Sequence, residues 1–117
     1  MKYLPLLAAL VVPLTAHADE SKIAKAAKFD YLQIRLKTES RKELAAFAKN
    51  WREHPVHVRI EGHGYAKDEE FSIELGQRRA DRVRDYLVRQ GVDATYLTAI
   101  GHSRAEHGRY VDLVLEP

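Results

Sequence analysis

Between Val56 and Leu87 the spacing of apolar residues switches from the period of a strand to that of a helix. Val56, Val58 and Ile60 alternate with His57, Arg59 and Glu61, the pattern of a half-buried strand that ends at Gly62 and Gly64. After a polar turn, Ile73, Ala80, Val83 and Leu87 fall on one helical stripe, with Gly76 permitting close approach. Asp68 is placed to cap this helix, and Glu69 and Glu70 complement the positive end of its dipole. Gly91 is placed to stop it in left-handed geometry. A strand and a helix joined in this way bury their apolar faces against each other, which commits the chain to a layered α/β arrangement.

The flanking segments extend that unit. Tyr31–Leu36 alternates, with Leu32, Ile34 and Leu36 on one side, and is predicted as the first strand. Ser40 and Glu43 have the spacing of a capping box, followed by Leu44, Phe47, Ala48 and Trp51 at helical spacing. Pro55 ends that helix, giving a range of about Arg41–Arg52. Leu97–Ile100 reads as a short strand, Gly101–Gly108 as a turn, and Tyr110–Leu115 as the last strand. The predicted order is βαβαββ, an α/β (α+β) two-layer sandwich with two helices on one face of a mixed four-stranded sheet.

The N-terminal residues are expected to lie outside the domain. A short basic start, an apolar run from Leu4 to Leu14 and Ala16-His17-Ala18 form the pattern of a secretory signal peptide cleaved after Ala18. The expected organisation is signal peptide 1–18, linker 19–30 and domain 31–117. Removing 18 of the 117 residues leaves 99, enough for one small core. The chain has no cysteine, so disulfides, thiolate metal sites, a thiol nucleophile and lipidation on cysteine are all excluded. Without Lys2, 18 basic residues face 17 acidic ones, a net charge of +1, and the signs alternate along the chain. A nucleic-acid partner, which would call for a basic stripe, is therefore not expected.

The ordered string Glu61-Gly62-His63, Leu75-Gly76-Gln77-Arg78-Arg79-Ala80-Asp81-Arg82-Val83, Asp85-Tyr86-Leu87, Gly91-Val92, Leu97-Thr98-Ala99-Ile100-Gly101 and Arg109-Tyr110-Val111-Asp112 resembles the OmpA-like C-terminal domain family. The resemblance spans roughly Tyr31 to Glu116. It implies a non-catalytic module of the Gram-negative cell envelope, periplasmic or outer-membrane associated, that binds peptidoglycan through the diaminopimelate of the stem peptide. The free end of that residue carries an ammonium and a carboxylate on one carbon, so recognition needs an anion and a cation side by side.

Carried over by position, the family's arginine falls on Arg79, whose guanidinium can grip a carboxylate with two prongs. The family's aspartate after the strand end falls on Tyr65, following His63 and Gly64, and Tyr65 cannot replace an anion. The helix-start asparagine falls on Ser72, and Asp68 is the preferred substitute for the missing charge. The implied ligand-binding set is Arg79, Asp68, His63, Gly64, Tyr65 and Ser72, with weakened affinity. Two bland alternatives stand beside it: Asp68 as a helix cap, and Arg79 in an ion pair with Glu61 or Asp112.

Other chemistries are less well supplied. His54, His57, His63, His102 and His107 sit near strand ends or turns, and His63 and His102 share a sheet edge, but no H-x-x-x-H or H-E-x-x-H spacing occurs. Neither a metal nor a cofactor is expected. Ser72 and Ser103 lack a nucleophile-elbow context, and no nucleophile–base pair is recognisable, so no enzyme is expected. The rival to the cell wall is a second envelope protein, from the outer membrane or periplasm, met through aromatics such as Tyr65 and Tyr96.

Overall fold

The computed structural model describes residues 20–102 and 108–117. The expected leader, and Ser103 and His107 in the stretch expected to turn, lie outside those residues. In chain order the elements are β1 (Ser21–Lys28), α1 (Thr38–Glu53), β2 (His57–His63), α2 (Glu69–Arg89), a 3-10 turn (Ala94–Tyr96), β3 (Leu97–His102) and β4 (Tyr110–Glu116). The sheet order is β1-β4-β2-β3, with β4 antiparallel to both neighbours and β2 parallel to β3. Both helices pack on one face. The predicted βαβαββ sandwich is therefore the observed one.

The first strand is not where alternation placed it. Tyr31–Leu36 forms a turn followed by a stretch with no regular structure, and the strand comes from Ser21–Lys28, inside the expected linker. Leu32 has φ of 56° and Leu32 and Tyr31 are exposed, so the apparent period two is interrupted at its second residue. What the earlier segment supplies instead is Ala26, Ala27 and Phe29, all buried. A break in register between Ile23 and Ala27 lets Lys25, at φ 53°, bulge outward while both sides stay paired to β4.

The capping box is also absent. Helix α1 starts before Ser40, its N-cap Lys37 makes no side-chain cap bond, and Ser40 lies buried in the first turn. There its hydroxyl accepts the Lys28 amide at 3.2 Å and joins β1 to α1. Leu44, Ala48 and Trp51 make the buried stripe as expected.

Helix α2 follows its sequence signals more closely. Asp68 accepts the Phe71 amide at 2.8 Å and is the N-cap. Gly91, at φ 102°, follows the last turn. Leu75, Ala80, Val83 and Leu87 are buried, while Ile73, expected among them, is 40% exposed. The helix lies so close to the sheet that a Cβ on Gly62 would stand 1.9 Å from the Gly76 carbonyl oxygen. Val58, Ile60, Leu97, Val111 and Leu113 complete the core from below.

Candidate functional site

The end of β2, the loop 64–68 and the first half of α2 bring the six predicted positions together, but Arg79, Ser72 and Gly64 face inward. The guanidinium of Arg79 is buried, at 0% relative exposure, not on an open rim. Its Nε donates to Gln33 O at 2.9 Å, Nη1 to His63 O and Gly108 O at 3.0 Å each, and Nη2 to Asp30 O at 3.0 Å. Of the five N–H groups an arginine carries, four are thus engaged by backbone carbonyls, and one on Nη2 has no acceptor among the described residues. The Phe29 ring lies under the plane, 5.1 Å from the guanidinium carbon.

No carboxylate among the described residues pairs with this cation. Glu61 is engaged by Arg59 at 2.7 Å, and Asp112 by Lys22 at 3.5 Å. Both acids project from the opposite face of the sheet, so the ion pair considered for Arg79 does not form. Asp30 lends its carbonyl but turns its carboxylate to Lys37 at 2.8 Å. Burial, with a smaller push from Arg109, brings the guanidinium down to about 10, so it remains charged at neutral pH. Arg79 is a buried positive charge solvated by carbonyl dipoles and neutralised by no described acid.

The other predicted residues divide by side-chain direction. Ser72 is fully buried; its hydroxyl accepts the Ala66 amide at 2.9 Å and lies 3.1 Å from Ala66 O and 3.0 Å from Asp68 O. Its hydrogen-bonding capacity is used within the protein, so it braces the loop rather than facing a ligand. Gly64 is buried against α2, where a Cβ would sit 2.6 Å from Ser72 O. His63 contributes its carbonyl to Arg79, while its ring lies on the helix-free face beside Tyr110 and His102. Tyr65 is 49% exposed, and Asp68 is exposed with one oxygen engaged in capping. Tyr96, expected at the surface, packs edge-on against Trp51 at 5.2 Å.

Sequence reasoning missed the carbonyls of Asp30, Gln33 and Gly108. Main-chain acceptors leave no side-chain signature, and two of the three lie in the segment read as leading into or forming a strand.

Comparison with known proteins gives this geometry its context. The OmpA family profile matches residues 28–110, and the chain belongs to the OmpA family. It is 34% identical over 77 residues to the peptidoglycan-associated lipoprotein of Pseudomonas aeruginosa, covering 65% of this chain and 46% of that protein. The chain thus spans about half the length of that relative. The structure resembles the peptidoglycan-associated lipoprotein from Burkholderia pseudomallei, with a TM-score of 0.64 and 25% identity, covering 76% of this chain and 86% of that one. It also resembles the OmpA-like domain of FopA1 from Francisella tularensis, with a TM-score of 0.68 and 18% identity over 81% and 70% of the two chains. Among the described residues no helix is long and apolar enough to cross a membrane.

Proposed function

We propose that this chain is an exported cell-envelope protein that binds peptidoglycan non-covalently, without catalysis, at the end of the sheet where β2 turns into α2. The observation that carries the reading is the buried charge of Arg79, which no acid among the described residues meets, at the family's arginine position and beneath the loop ends. A buried cation without a counter-ion is costly, and a ligand carboxylate would offset that cost. The carboxylate of diaminopimelate takes the remaining Nη2 hydrogen, which requires the rim above Arg79 to part. The second oxygen of Asp68, or a neighbouring acid, receives the ammonium in place of the aspartate that Tyr65 replaces. Binding is weak, since one lost charge-assisted hydrogen bond is worth about 1.5–3 kcal/mol.

Muropeptide titration tests this directly. Tyr65→Asp should tighten binding about tenfold or more, the equivalent of about 1.4 kcal/mol. An unchanged affinity sinks the site geometry. Arg79→Ala alone is a poor probe, because it removes a buried brace together with the charge.

One observation favours a second reading, attachment to another envelope protein. Tyr65, Phe71 and Ile73 are 49, 44 and 40% exposed along the loop and the start of α2. Exposed apolar residues in such a group suit a protein interface. Failure of the wild-type chain to sediment with purified peptidoglycan selects this reading over the first.

A further inference from the structure

The face of the sheet turned away from the helices carries imidazoles and charges. Strand pairing sets Asp112 of β4 beside Glu61 of β2, and His102 of β3 beside His63 of β2. One donor atom each from Glu61, His63 and Asp112 lies within 4.8 Å of the others. Their side chains are 15, 13 and 5% exposed, so the group is sheltered. His102 completes it, with Nε2 3.8 Å from the Glu61 carboxylate and its ring stacked on His63 at 5.1 Å.

Two features distinguish this group from an ordinary ion-pair network. First, both ring nitrogens of His63 and Nε2 of His102 are buried without a hydrogen-bond partner among the described residues. His63 Nε2 comes within 3.3 Å of Asp112 Oδ2. Buried polar atoms of this kind are rare, and a bound ion is one of the few arrangements that satisfies them. Second, the two carboxylates are already oriented from behind. Asp112 Oδ1 accepts the Lys25 amide at 2.7 Å at the bulge of β1, and Glu61 accepts Arg59 Nε at 2.7 Å. Such outer contacts fix ligating side chains in place.

We propose that Glu61, His63, Asp112 and His102 form a zinc site that ties β2, β3 and β4 together on the open face of the sheet. Two imidazoles and two carboxylates suit a tetrahedral, borderline-soft dication, whereas calcium and magnesium favour all-oxygen sets. Glu61, His63 and Asp112 already offer donor atoms within 4.8 Å of one another, and the His102 ring turns out of its stack on His63 to supply the fourth. Two carboxylates balance the dication. Lys22, with its side chain 54% exposed, moves to solvent, and Arg59 keeps its contacts with Glu116 and Glu20. Four protein donors leave no open position, so the role is structural.

Zinc titration of the whole chain, followed by the ring signals of its histidines, reads the site in the wild-type protein. One equivalent should shift His63 and His102 together, leave His54 and His57 in place and raise Tm, while magnesium does none of this. His102→Gln, at a partly exposed position, should weaken zinc binding about tenfold or more. Unmoved His63 and His102 signals at one equivalent, or undiminished affinity in the His63→Gln/His102→Gln variant, overturn the proposal.

Discussion

Arg79 combines two demands that usually fall on different residues. Its fork reaches four carbonyls in three separate segments, and its charge finds no acid to meet it among the described residues. A lysine at this position would keep the charge but bring three donors from one point, too few and wrongly aimed for the same carbonyls. Arg79→Lys should therefore cost about 2 kcal/mol, since buried acceptors left without a donor cost about 1–3 kcal/mol. For a domain of this size that corresponds to a fall in Tm of about 10 °C, read by thermal unfolding. An unchanged Tm would mean that the carbonyls find other partners and that Arg79 is not a brace. The residue that position-by-position reasoning marks for the ligand is thus also a structural one, and its two roles separate only in an experiment with both readouts.

At the scale of elements, the sequence was most legible where periodicity, caps and glycines agreed. Helix α2 had all three: Asp68 caps it, Gly91 follows its end, and Ala80, Val83 and Leu87 are buried. The first strand had none. Ser21–Lys28 is rich in lysine and alanine, and its fit to the sheet depends on a bulge at Lys25 that breaks the alternation. Tyr31–Leu36 alternates on paper but turns at Leu32. Ser40 had the spacing of a cap, yet a helix beginning earlier put its hydroxyl to another use. The proposed metal-ligating group was half legible: His63 and His102 could be placed on one sheet edge, but Glu61 and Asp112 join them only through strand pairing, which no spacing within one element reveals. A truncation checks the corrected boundary. A chain starting at Tyr31 loses β1 and the buried Ala26, Ala27 and Phe29, and should fail to give a cooperative unfolding transition, whereas a chain starting at Glu20 should give one. Cooperative unfolding of the shorter chain would return β1 to the status of a linker.

As a whole molecule the protein keeps the family's layering while changing how its sites are charged. Among the described residues the opposite sides of one sheet present two electrostatic situations: beneath the helices a cation without an anion, and on the bare face two carboxylates beside imidazoles with unpartnered nitrogens. The strands hold both in fixed register, since His63 gives its carbonyl to the first and its ring to the second. The guanidinium also has a consequence in time. Its acceptors at Asp30, Gln33 and Gly108 lie 29 to 49 residues away along the chain, so no local turn can assemble them. Contacts of such long sequence separation form only after the loops are closed. We expect the clasp to shut on the native side of the folding barrier: Arg79→Lys should leave the refolding rate nearly unchanged and hasten unfolding, giving a φ-value near zero in stopped-flow chevrons. The lifetime of the native state, more than the speed at which it is reached, would then rest on this one side chain.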